Sequence, residues 1–210
     1  RRYAEALSQE YVVGIIIGTR PDCAGSEVMD YLERLNRQTF MIVEYGIESV
    51  SDQTLLRVNR GHDFECSQRA IAETHNRGIL TCGHIILGLP GESAEENIRQ
   101  SEVVSNLKLD ILKLHQLQII KGTQLAEEYC REPFKLYSAD EYIDLCIRYL
   151  ERLRNDIIVE RFVSQSPADM LIAPKWGLKN YEFTNRLVNE MKRRGTWQGR
   201  LISSSVSSTY

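Results

Sequence analysis

Apolar residues in this chain fall into short, dense runs, and between the runs they recur at helical spacing. Tyr11 to Gly18 reads Tyr-Val-Val-Gly-Ile-Ile-Ile-Gly, the pattern of a strand covered on both faces. Thr19-Arg-Pro-Asp22 follows as its turn. From Ser26 to Arg37, Val28, Tyr31, Leu32 and Leu35 mark one face of a helix. Met41 to Ile47 predicts a second strand. Ser51 or Asp52 can cap a short helix through Val58. Asp63 caps another, which Gly78 ends.

The third run, Ile79 to Leu87, leads into Gly88-Leu-Pro-Gly-Glu-Ser93. Pro90 cannot continue a ladder, so the strand stops before it. Gly88 and Gly91 allow the chain to turn sharply or to approach a ligand closely. Ser93 and Glu96 form a capping box for a helix to about Asn106. Leu109 to Ile119 predicts a fourth strand, followed by a short helix near Gln124 to Cys130. Ser138 and Glu141 open a helix to Leu153, and Ile157 to Val163 is the fifth strand. A loop from Ser164 to Asp169 precedes a last helix, Tyr181 to Arg194, closed by Gly195. Residues 1–202 are expected to form one domain, and the serine-rich 203–210 a disordered tail. Alternating strands and helices predict an α/β fold with parallel strands, as an open doubly wound sheet or a partial (β/α) barrel. No G-x-G-x-x-G follows the first strand, which weakens the dinucleotide-binding version.

Residues two apart in a strand share a face. On that rule Ile42, Glu44, Gly46 and Glu48 share one face of the second strand, and Cys82, His84 and Ile86 one face of the third. Ile111, Lys113, His115 and Leu117 share a face of the fourth. An unpaired buried charge costs several kcal/mol or more, so these groups must meet one another, water or a ligand. If the strands are neighbours, Glu44, His84, Lys113 and His115 converge on the concave side of the sheet, where barrels hold ligands.

The net charge of −3 gives no electrostatic case for nucleic acid, and no apolar run approaches the ~18 residues of a membrane span. The five cysteines have no metal-loop spacing, and an odd count argues against a disulfide framework. Free thiols on predicted helices and strands fit a reducing cytoplasm. His62 and His75, in polar surroundings, read as surface residues, and Trp176 and Trp197 as packing anchors. The Gly88–Ser93 turn lacks a following G-K-S/T, so a nucleotide-hydrolase reading is weak.

Three segments carry a family resemblance: Glu44-Tyr-Gly-Ile-Glu-Ser49, Leu55-Leu-Arg-Val-Asn-Arg-Gly-His-Asp63 and His84-Ile-Ile-Leu-Gly-Leu-Pro-Gly-Glu-Ser93. Together they resemble the radical S-adenosylmethionine (SAM) superfamily, in its elongator-protein/MiaB/NifB-like group. The Lys113–Leu125 and Glu160–Pro167 segments are similar to the uncharacterised bacterial YhcC-type proteins. The resemblance implies the later strands of a radical-SAM partial barrel and two cofactors, SAM and a 4Fe-4S cluster. The cluster reduces SAM to release a 5′-deoxyadenosyl radical. By position, Glu48 is implied at the methionine end of SAM, Arg60 on its carboxylate, and His84 near the ribose. Leu117, Gln118 and Ile119 are implied along the adenine. Arg20, in an Arg-Pro-Asp turn, joins Glu44, Lys113 and His115 as substrate-facing.

The cysteine triplet of the family is absent, as is the glycine-rich turn after its second strand. The chain is therefore expected to begin at the third family strand, to lie outside the cluster-binding part, and to be inactive by itself. The implied partners are SAM, a flavodoxin-type reductant for the longer enzyme and an unknown substrate, tRNA or a small metabolite. An unpaired Tyr11–Gly18 edge predicts homodimerisation or cover by a terminal segment. Two alternatives remain: a non-redox barrel enzyme using Glu44, Lys113 and His115 for acid–base chemistry, and a partner-binding module.

Overall fold

The five apolar runs become one parallel sheet in the computed structural model, which describes residues 2–202. The strands are β1 (Gly14–Thr19), β2 (Phe40–Glu48), β3 (Leu80–Leu87), β4 (Ile111–Gln116) and, after a short β5, β6 (Ile158–Arg161). Their spatial order is β1-β2-β3-β4-β6, the order of the sequence. A doubly wound sheet reverses its order at a switch point, and this one does not. Right-handed crossovers taken always in one direction place the connecting helices on one face and leave the other to curl inwards. The fold is thus the partial-barrel version of the two predicted. The predicted tail lies outside the described residues.

The helices are α1 (Arg2–Leu7), α2 (Ser26–Asn36), α3 (Asp52–Arg57), α4 (Phe64–Asn76), α5 (Ala94–Ser105), α6 (Gln124–Arg131), α7 (Ala139–Leu150) and α8 (Asn180–Arg194). Their starts follow the sequence signals. Ser51 and Asp63 cap α3 and α4, and the Ser93/Glu96 and Ser138/Glu141 pairs close complete capping boxes on α5 and α7. Gly195 takes the left-handed conformation that ends α8.

The core lies between the helices and the face carrying Val43, Tyr45, Ile47, Ile85, Leu112 and Leu114. Tyr45 is fully buried, and its hydroxyl is satisfied by Thr74 of α4 at 2.8 Å. Tyr45, Gly83 and Leu112 stand in one row across β2, β3 and β4. A Cβ on Gly83 would lie 2.8 Å from Ile47 Cδ1 and 2.9 Å from Leu109 Cδ1. Gly83→Ala is therefore expected to cost about 1–3 kcal/mol of stability by overpacking. Urea unfolding would show this, and an unchanged midpoint would mean that the core has slack here.

The predicted fourth strand is corrected at its end. It stops at Gln116, and Ile119–Ile120 forms a separate strand, β5, antiparallel to β7 (Leu171–Ala173). The Leu117 amide donates back to the Leu87 carbonyl at 3.1 Å, which turns the chain out of the main sheet. The apolar pattern continues across this corner, so periodicity alone cannot see it. The predicted first strand is also shorter, and Tyr11 and Val13 beyond its start are 90% and 85% exposed. No described segment pairs with the outer edge of β1. Trp176 packs against Tyr142 and Phe183 as expected of an anchor, whereas Trp197 is 61% exposed and anchors little. Among the described residues no helix is long and apolar enough to cross a membrane.

Candidate active site

Two groups of polar residues meet on the concave side, one at the C-terminal end of β2 and one across β2, β3, β4 and β6. The first begins where β2 ends. Glu48 takes a left-handed backbone (φ 68°), and the register with β3 shifts between Gly46 and Glu48. The Val58–Asp63 loop then brings Arg60 back over the strand. Arg60 Nη2 donates to the Gly46 carbonyl at 2.7 Å and lies 3.4 Å from Glu48 Oε1. A side chain at position 46 would occupy the space of both groups, so Gly46 cradles the pair. Burial raises the Glu48 carboxyl above its usual range against the pull of Arg60. Arg60 Nε and His62 Nε2, both buried, have no partner among the described residues. His62 is thus half-buried, a correction to its reading as a surface residue. Arg20, expected to face substrate, is exposed and ion-paired with Asp22.

The second group spans the sheet. Gly46, His84 and Lys113 are register neighbours on β2, β3 and β4. Glu44 accepts from Lys113 Nζ at 2.6 Å and lies 3.1 Å from His84 Nε2. His84 Nδ1 is 3.1 Å from His115 Nε2, and His115 Nδ1 is hydrogen-bonded to the Ser164 hydroxyl. Lys113 also pairs with Glu160 at 3.1 Å. The four expected substrate-facing and ribose-facing residues of these strands, Glu44, His84, Lys113 and His115, are therefore brought together. Burial works against the Glu44 carboxylate, but Lys113 and His84 hold it below its usual range. Burial likewise opposes the Lys113 ammonium, and Glu44 and Glu160 raise it nonetheless. Burial lowers both imidazoles, His115 to about 4, where repulsion from His84, Arg161 and Lys113 adds to the effect.

Leu117 and Ile119 are buried in a smaller apolar cluster with Leu89 and Ala126, and the backbone of Ile119 pairs with Ala173. The Gln118 side chain donates to the Ser164 carbonyl and accepts from Ser166. Gln116 clamps the same residue, accepting from the Ser164 amide at 2.8 Å and donating to its carbonyl at 3.0 Å. Neither Ser164, in the loop predicted over 164–169, nor Glu160, on the predicted fifth strand, is marked as a site residue by the sequence pattern. The available signal was that this polar loop follows directly on the fifth strand, at the ligand end of a barrel.

Glu92 closes the turn after β3, accepting from Ser49 at 2.5 Å and Gln100 at 2.8 Å between clefts of about 610 and 630 Å³. A carboxylate there disfavours phosphate and supports a purely geometric role for the turn. Among the described residues the cysteines are free and bring no three thiols together. Among the described residues Glu44, Cys82 and His84 form the one group with metal-ligand chemistry, and it does not suit a three-thiolate 4Fe-4S cluster.

A parallel partial barrel with its polar side chains gathered on the concave face and at the C-terminal strand ends is the architecture in which α/β barrel domains hold ligands. Residues 1–99 match the family model of the Radical SAM superfamily, and residues 109–193 that of the Radical_SAM C-terminal domain. The chain belongs to the radical SAM superfamily, whose members in general use SAM and a 4Fe-4S cluster. It is 34% identical to the uncharacterized protein YtqA of Bacillus subtilis, over 96% of this chain and 62% of that protein. It is 33% identical to YhcC of Escherichia coli K12, over 94% of this chain and 65% of that one. The chain thus spans a little under two thirds of the length of these relatives. The solved structure of Methanocaldococcus infernus Elp3 superposes with a TM-score of 0.78, covering 89% of this chain and 43% of that one. At 24% identity that likeness speaks for the fold.

Proposed function

We propose that this chain is the SAM-binding and substrate-facing portion of a radical SAM enzyme. The observation that carries the reading is the Glu48–Arg60 pair cradled on Gly46, with the buried Arg60 Nε lacking a partner among the described residues. A free, planar guanidinium edge suits a carboxylate, and the methionyl end of SAM presents one. The Glu48 carboxylate beside it suits the cationic amino group of the same moiety. SAM supplies a 5′-deoxyadenosyl radical in this superfamily when a 4Fe-4S cluster reduces it. The cysteines of this chain do not fit that cluster, so we place it on other residues and expect the chain alone to form no radical. Both ring nitrogens of His84 are already hydrogen-bonded, which favours a role in the lumen over a contact to ribose.

Calorimetric titration of the chain with SAM tests the reading. Saturable binding is expected, weakened about 10- to 100-fold in Arg60→Ala, the range for losing a hydrogen-bonded charge. Absence of binding, or equal binding by the variant, would overturn it. We extend the proposal to pairing of the β1 edge with a second copy, because Ile16 on that strand is 56% exposed and the edge is open. Light scattering should then show a dimer that Ile16→Lys disrupts. A concentration-independent monomer would sink the pairing.

A further inference from the structure

We propose that Ser164, His115, His84 and Glu44 form a directional proton relay, and that its open end, the Ser164 hydroxyl, takes the proton of a hydroxyl group on an uncharged substrate in the lumen. The direction follows from the anchored end. Glu44 as a carboxylate only accepts, and one of its oxygens already accepts a hydrogen bond from the Lys113 ammonium. His84 must therefore carry its proton on Nε2, facing Glu44. A neutral His84 then offers Nδ1 as an acceptor, so His115 must carry its proton on Nε2. His115 Nδ1 is left as an acceptor, and only the Ser164 hydroxyl can donate to it. Each link forces the next.

The open end is held in place. Gln116 binds both the amide and the carbonyl of Ser164, and Gln118 reinforces the carbonyl. Ser164 is half-buried, and among the described residues its hydroxyl meets no partner besides His115. Its lone pairs remain available to a donor in the lumen.

In the step itself, the substrate O–H gives its proton to Ser164 Oγ while the serine proton passes to His115 Nδ1. The His115 Nε2 proton moves to His84 Nδ1. The products are a substrate alkoxide and a His84 imidazolium beside the Glu44 carboxylate, with nothing oxidised or reduced. The charged and titratable groups that act on the two rings are Glu44 on β2, Lys113 on β4 and Arg161 on β6, with Cys82 of β3 beside His84 and Glu160 of β6 paired to Lys113. Counted over the whole cluster, with Glu160 on Lys113, two carboxylates balance two cations, so it has no net charge with which to select an ion. That balance points to an uncharged, hydroxyl-bearing substrate. Burial lowers both imidazoles, which favours the neutral rings that the relay requires. The relay needs no SAM, so it can fail while the SAM reading stands, and the reverse.

Histidine-labelled protein observed by nitrogen NMR at pH 7.5 tests it. Both His84 and His115 should show the Nε2–H tautomer with an unprotonated Nδ1, and Glu44→Gln should mix the tautomers. A wild-type His115 carrying its proton on Nδ1 would reverse the chain and overturn the proposal, whether or not the variant folds. Unchanged tautomers in a folded Glu44→Gln would do the same. Titration with ribitol, an uncharged polyol, should shift His115 Nδ1 saturably, and Ser164→Ala should abolish that shift. A shift with acetate and none with ribitol would refute the substrate class.

Discussion

Lys113→Met is expected to destabilise the chain by about 3 kcal/mol, because it leaves the Glu44 carboxylate in the sheet without its closest cation. Lys113 is only 6% exposed, and its ammonium bridges Glu44 and Glu160 across the concave face. Methionine replaces the stem volume, so the loss reports charge rather than a cavity. Glu160 is more exposed and can turn to water, whereas Glu44 cannot. Adding Glu44→Gln to Lys113→Met should restore most of the stability, since both charges are then gone. Urea unfolding of the four combinations reads this directly. A single variant as stable as the parent would mean that water already screens the pair.

Acidification from pH 6.5 to pH 4 is expected to remove about 3 kcal/mol of folding stability through His115 alone. Burial, with repulsion from His84, Arg161 and Lys113, pushes the folded imidazole down to about 4 from the ordinary 6.5. The unfolded chain therefore binds a proton near pH 6.5 that the folded chain refuses until about 4. Stability is complete above the higher value and declines across this window. His84 shifts in the same direction and adds to the loss. Glu48 and Glu92 act oppositely, since burial raises their carboxyls and their protonation in acid favours the fold. The difference between the parent and His115→Gln isolates the imidazole. If unfolding midpoints of the two fall in parallel between pH 6.5 and 4, His115 is not held neutral by the fold.

Both effects arise from side chains that are visible in the sequence as exceptions. Glu44, His84, Lys113 and His115 break apolar runs, and period-two alternation alone places each on a face. Their convergence needed only that the strands be neighbours in chain order, as they are. Ser164 was not legible in this way. A serine in a loop has no period to violate, and its pairing with His115 spans 49 positions of chain. The corner after Gln116 was hidden for a related reason, because Leu117 to Ile120 stays as apolar as a strand while its backbone partners change.

By its own pattern the sequence determined the order of the five main strands, the capped starts of the helices between them, and which polar residues lie inside the sheet. Caps, glycines and apolar periodicity act within a few residues, so they survive in a one-dimensional reading. The tertiary structure alone decided the corner after Gln116, the seat of Arg60 on Gly46, and the hydrogen-bonded line from Glu44 to Ser164. Those depend on contacts between distant segments, fixed by the need of buried polar atoms for partners.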